Sequence, residues 1–162
     1  MKTLNAFRLA AASVLALGVV NAHAAPMSLS ADVIANCTIS VSDINFGNYD
    51  PIVANKTTPL DVTHPISTTC TIGSSPTIRI DAGLNAPSPT GANRRLSDGT
   101  NYLTYVLREG SFTGTTWDIG ADISAGTATG LAVSKNIYAR LPADQNVPVG
   151  SYVDTVQVTV HF

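Results

Sequence analysis

Apolar residues along this chain recur mostly at every second position, in runs broken by turn residues. The longest run is "MSLSADVIANCTISV". Every odd position from Met27 to Val41 is apolar there, and the even positions are small and polar or charged, except Ile34. Period two marks a strand with one buried face. The run covers 15 residues, whereas strands are typically about 5–6 residues long. Later runs are shorter. "PLDVTHPISTTCTI" carries Leu60, Val62, Ile66, Cys70 and Ile72, and "PTIRIDAG" alternates Ile78, Ile80 and Ala82. "NYLTYVLREG" sets Leu103, Tyr105 and Leu107 on one face and Tyr102, Thr104 and Val106 on the other. "LAVSKNIYARL" predicts another strand, and "GSYVDTVQVTVHF" puts Val156, Val158, Val160 and Phe162 on one face.

The segments between these runs are turn chemistry: "NAPSPTGAN" is a loop, and "SFTGTTWDIGADISAGTATG" predicts a long connection. Six or seven short strands, with no helix of ten residues and no internal repeat, predict a single all-β domain, a β-sandwich. Two features set its ends apart. The first run is too long for one strand, and the last apolar face reaches Phe162 itself. A strand without a neighbour is a sheet edge open to another chain. The combination predicts strand exchange between copies.

The first 24 residues read differently. Lys2 and Arg8 precede an apolar run from Leu9 to Val20, and Ala22-His23-Ala24 is a small-x-small cleavage site. This is the pattern of a secretory signal peptide, and twelve apolar residues are too few to span a bilayer. The expected organisation is a signal peptide over 1–24, an N-terminal extension over 25–36 and a sandwich domain over 37–162. Without the leader, seven Lys/Arg face eleven Asp/Glu, a net charge near −4. There is no basic stripe, so a nucleic-acid partner is not expected, nor is an integral membrane protein. In an exported chain the two cysteines, Cys37 and Cys70, predict one disulfide; two free buried thiols are the alternative.

Several stretches resemble the spore coat protein U domain family. "CTISVSDINFGNYDP" is similar to its opening, a Cys, a short strand and an FGxYDP turn. "RRLSDGTNYLTYVLRE" is similar to its middle, and "IYARLPADQNVPVGSYVDTVQVTVHF" to its ending. The resemblance runs from about Ser30 to Phe162, with Ala139 where the family has Gly. That family includes subunits of archaic, Csu-type chaperone–usher pili. The resemblance implies an incomplete immunoglobulin-like β-sandwich exported through the periplasm to the cell surface. It also implies three partners: a periplasmic chaperone that lends a strand, an outer-membrane usher, and identical or homologous pilus subunits. The fibre would serve adhesion and biofilm formation. The family also holds spore-coat and other secreted proteins, so a self-complete coat or matrix domain is the rival expectation.

The residues allow a donor strand on their own account. Met27, Leu29, Ala31 and Val33 are spaced to fill successive pockets, with Ser28, Ser30 and Asp32 facing out. Burying a Met, Leu or Val contributes about 1.5–3 kcal/mol. Val156, Val158, Val160 and Phe162 would line the acceptor groove and offer a chaperone its pairing edge. Pairing of Met27–Val41 within its own domain is the competing arrangement. Tyr152, after Pro148 and Gly150, fits a tyrosine corner. Trp117 either packs in the core or stands exposed as an adhesive tip. Arg94 and Arg95 read as a solvated hairpin or a subunit contact. No cofactor is expected, and neither is a metal: Asp61 and His64 are three apart on a strand and fall on opposite faces. A small secreted hydrolase is a distant third reading, because Glu109 is the only Glu and only two histidines, His64 and His161, survive processing.

Overall fold

The computed structural model describes residues 23–162. The signal-peptide reading for 1–24 therefore lies outside the described residues except at His23 and Ala24. The chain divides into two units, Met1–Asp32 and Val33–Phe162. In the first, residues 23–32 carry no strand. The second holds eight strands: β1 (Cys37–Ser40), β2 (Leu60–Cys70), β3 (Thr77–Ile80), β4 (Asn93–Ser97), β5 (Tyr102–Glu109), β6 (Asp122–Ser124), β7 (Ala132–Leu141) and β8 (Val158–His161). They form an immunoglobulin-like sandwich of two antiparallel sheets, ordered β1-β2-β7-β5-β4 and β6-β3-β8. Two strands go beyond the named runs: β4, over the Arg94–Arg95 turn, and β6, three residues inside the long connection.

The core lies between the sheets and is filled by the alternating residues. Leu103, Tyr105 and Leu107 of β5 are buried, as are Ile66 of β2, Ile78 and Ile80 of β3, and Ile137, Ala139 and Leu141 of β7. Trp117 is fully buried among them, its backbone N–H donating to Leu107 O at 2.8 Å. Of its two expected placements, the core one holds. Cys37 and Cys70 stand opposite each other in the β1–β2 register and form a disulfide. It closes a loop with a sequence separation of 33, which stabilises by about 3–4 kcal/mol on the chain-entropy view.

The long first strand is corrected. Strand structure begins only at Cys37 and stops at Ser40. At its start, β2 turns away after Cys70, so the segment from Val33 to Asn36 has no strand beside it. The reason for the early stop is Pro65. The bond Thr71 N→Asn36 O (2.9 Å) sets the parity of the ladder, so residues 69, 67 and 65 of β2 aim their backbone groups at β1. Pro65 has no N–H to offer at the position that would face Ser42, and β1 ends at the Ser40↔Ser67 pair. Past that point the inward phase switches from odd to even. Cys37 and Ile39 point in, Val41 is exposed, and Ile44 and Phe46 point in. Ile72 is likewise exposed, because it falls in the turn after β2.

Arg94 is a second correction. It is not in a solvated hairpin but on β4, 0% exposed, in phase with Leu96 and opposite Tyr105. Its guanidinium donates to three carbonyls: Nε to Asp81 O (2.7 Å), Nη1 to Trp117 O (2.9 Å) and Nη2 to Ile80 O (3.0 Å). One planar fork thus ties β4 to the end of β3 and to the Trp117 loop. Burial lowers its pKa, and the negative field of Tyr105, Asp81, Asp154 and Asp118 works the other way. Arg95, beside it, stacks over the Tyr102 ring at 3.9 Å.

Removing Arg94 would leave the Asp81 and Trp117 carbonyls without a partner, while Ile80 O keeps the Gly120 N–H (3.2 Å). Arg94→Ala is expected to lower unfolding stability by about 3–5 kcal/mol. Arg94→Lys is expected to recover little, since an ammonium cannot match the fork. Denaturant titration checks both, and a Lys variant at full stability would refute the account. Replacing both Cys37 and Cys70 by Ser is expected to cost about 3 kcal/mol on the same assay.

Candidate functional site

A groove runs along the surface beside the core at one end of the sandwich. It measures about 950 Å³ and has Leu103 and Leu141, two buried residues of the core, in its lining. One lip is the segment after β1, with Ile44, Phe46 and Tyr49 turned inward. The other is the segment that leads into β8, with Val147 and Tyr152.

Both lips are anchored. The Tyr49 hydroxyl donates to Pro142 O (2.7 Å) and accepts from Gln145 N (3.1 Å). The Gln145 amide exchanges two bonds with the backbone of Thr104, at 2.7 and 2.9 Å, as a strand residue would. On the opposite lip the Tyr152 hydroxyl donates to Pro148 O at 2.8 Å, the tyrosine corner expected there. Val153 then bridges Ser97 of β4, with N···O distances of 2.9 and 3.0 Å. Asp154 holds the same lip to the sandwich. It accepts from the Tyr105 hydroxyl (2.8 Å), Leu84 N (2.9 Å) and Asn85 Nδ2 (3.1 Å). Burial, and then this carboxylate, push the Tyr105 phenol far above its ordinary range. A Cβ on Gly83 would stand 2.3 Å from Asp154 Oδ2, and Gly83 has φ +72°, so only glycine fits.

From Ser151 onward exposed and part-buried residues alternate. Val156, Val158 and Val160 face inward and are half-buried, whereas Phe162 is largely exposed. β8 pairs with β3 on one side. Asp81 N→Gln157 O (3.1 Å) shows which backbone groups serve that pairing: Gln157, then Thr159 and His161 by alternation. The N–H and C=O groups of Val156, Val158 and Val160 therefore point to the other edge. Among the described residues no strand pairs with that edge. Val156 and Val158 pack against the core, while the groove is lined by residues before them in the chain, up to Asp154. Met27, Leu29 and Val33, the expected plugs, are 79, 83 and 86% exposed, and Ala31 is exposed too.

The histidines do not gather. His64 Nε2 lies 3.0 Å from Ser42 Oγ, while Asp61 takes Arg140 in a bidentate pair at 2.6 Å for both bonds. His161 is exposed and touches Thr159. Three groups that shape the groove escaped the sequence reading: the Ile44–Tyr49 lip, Gln145 and Asp154. The "INFGNY" alternation was a usable sign for the first; nothing local marks the other two.

An antiparallel sandwich of a five-stranded and a three-stranded sheet, with β8 at an edge near the groove, belongs to the class of immunoglobulin-like domains. The family model described as Spore Coat Protein U domain matches residues 23–159, and this chain belongs to that family. It is 34% identical to Protein U of Myxococcus xanthus over 180 aligned positions, spanning all of this chain and 98% of the relative. Among solved structures it is similar to one from the CsuC–CsuE chaperone–tip adhesion subunit pre-assembly complex of archaic chaperone–usher Csu pili of Acinetobacter baumannii. The TM-score is 0.56 at 22% identity, over 80% of this chain. The chain spans 40% of the length of that solved chain, and the likeness is one of fold.

The β4–β5 turn under the Tyr152 lip carries one titratable test. Asn101 N (2.7 Å) foremost, with the Asn101 amide and Thr100 N, holds the Asp98 carboxyl down at about 2. A depressed carboxylate stabilises the fold above its unfolded value of 3.8 and ceases to as pH falls through about 2. An NMR titration of the Asp98 carboxyl is expected to show a midpoint near 2 with the Thr100 and Asn101 amides moving in step. A midpoint near 4 would contradict the turn.

Proposed function

We propose that this chain is a structural subunit of an extracellular chaperone–usher pilus, or of a related surface coat, that polymerises by donating its N-terminal segment to a neighbour. The observation that carries this reading is the free β8 edge beside the open groove. That edge asks for one extended strand, and its apolar residues recur at every second position. Val156, Val158, Val160 and Phe162 mark four successive positions, and Met27, Leu29, Ala31 and Val33 are four plugs at the same spacing. Both sets span about 20 Å. A strand seated there would pair with the free backbone groups of β8.

Such an edge is an aggregation hazard while unpaired, which is the physical reason to expect a chaperone that pairs with it during export. A periplasmic chaperone, an outer-membrane usher and like subunits are accordingly the partners, and the fibre would act at the cell surface in adhesion and biofilm formation. The residues 25–36 are the donor, after removal of a signal peptide over 1–24. The similar solved structure comes from a complex of a chaperone with a tip subunit, which supports this assignment. The family's description favours the alternative, a self-complete secreted coat or matrix domain.

Purified polymer is expected to run as an SDS-resistant ladder that collapses on boiling. Leu29→Asp is expected to abolish the ladder, at least a hundredfold loss of polymer, while the domain still binds its chaperone. A stable monomer obtained with no chaperone would sink the proposal and leave a self-complete coat domain.

A further inference from the structure

Exposed apolar side chains stand at both ends of the sandwich. β2 runs from Leu60 to Cys70, about 35 Å, and defines the ends. At the Cys70 end stand Cys37, the start of β7 and the close of β8, as the pairs Cys37↔Cys70, Thr69↔Ala132 and Thr77↔His161 require. Two exposed side chains sit there, Ile72 and Leu131. They adjoin, since a Cβ on Gly130 would lie 3.2 Å from Ile72 Cγ1. At the Leu60 end the two lips of the groove carry Ile52 and Val149, also exposed. The Ile52 tip is held rigidly: Asp50 Oδ1 accepts from Ile52 N (2.9 Å) and Val53 N (3.1 Å), and buried Asn55 closes the turn onto Asp50 N (2.9 Å).

The length of the connection fixes which surface meets these tips. Three residues, 34–36, separate the last plug, Val33, from Cys37, where β1 begins. Four Cα steps reach at most about 15 Å. The donor's own sandwich must therefore stand at the mouth where its strand leaves the acceptor. A donor antiparallel to β8 leaves at the Leu60 end, between Ile52 and Val149. The Cys70 end of the donor copy then stands at that mouth, with Ile72 and Leu131 beside Cys37. A parallel donor would leave at the Cys70 end, where the acceptor's own N-terminal segment departs, and two chains would contend for one exit.

We propose that successive copies of this chain make a second, body-to-body contact in which Ile72 and Leu131 of the donor pack on Ile52 and Val149 of the acceptor. The inference rests on the strand-donation reading and adds to it a head-to-tail interface, which propagates as a filament. Patches this small would not hold two free molecules together. Tethered by a three-residue link they act at high effective concentration, and they set the angle between neighbours.

The test is cross-linking in polymer assembled from the full chain. Four double variants pair one site from each end: Ile72→Cys or Leu131→Cys with Ile52→Cys or Val149→Cys. They are treated with a short bismaleimide, which spares the native disulfide. At least one pair is expected to convert the ladder into one that survives boiling, while Ile72→Cys alone gives no cross-linked dimer. An unboiled ladder with all four pairs silent, or with dimers from Ile72→Cys alone, overturns the contact and leaves strand donation standing. Loss of the unboiled ladder in the unmodified protein overturns both. Ile52→Asp with Val149→Asp is the second arm: the ladder is expected to persist, and the distribution of inter-subunit angles in electron micrographs to broaden at least twofold. Unchanged angles count against the contact.

Discussion

The constraint on which this molecule turns is a set of backbone groups without partners. Val156, Val158 and Val160 aim their N–H and C=O groups away from β3, and among the described residues no strand pairs with them, although β1 of the other sheet lies near β8. The side chains of Val156 and Val158 pack against the hydrophobic core, and the groove lies where the preceding segment, up to Asp154, leads into β8. Only another extended segment can satisfy the free backbone groups. That requirement gives the edge its selectivity: a helix could cover apolar surface but would leave the edge unpaired.

The rest of the fold keeps that groove from closing on itself. Pro65 stops β1 at Ser40, and the inward phase then shifts so that Ile44 and Phe46 stand on the lip. Tyr49 and Gln145 pin that lip to the end of β7 and to β5. Opposite, the chain first bridges β4 at Val153, is held by Asp154, and only then crosses to the second sheet as β8. Arg94 locks the junction from beneath by joining β4 to the end of β3. A buried guanidinium is costly to desolvate, and its three carbonyl partners are what make it tolerable here.

Much of this was legible in the residues, and some was not, for definable reasons. The alternation of Leu103, Tyr105 and Leu107 placed β5 correctly, and the Cys37–Cys70 pairing and the Tyr152 corner came from chemistry that is local or shared between two residues. Arg94 was misplaced because charge is a surface signal by default, and its three acceptors come from segments 13 to 23 residues away. Its two-residue offset from Leu96 was the clue that it pointed inward. β6 was missed because three residues carry too little periodicity to stand out from a Gly/Thr-rich connection.

By itself the amino-acid sequence determined the class, an all-β sandwich built from period-two runs and stapled by one disulfide, because side-chain alternation is a property of each strand alone. It also determined that the residues before Cys37 are patterned like a strand, although residues 23–36 carry none in the single chain. Only the tertiary structure decided where strands start and stop, which carbonyls accept from Arg94, and that β8 is left with a bare edge. Those outcomes depend on which segments lie side by side, and a hydrogen bond needs a partner that a run of residues cannot name.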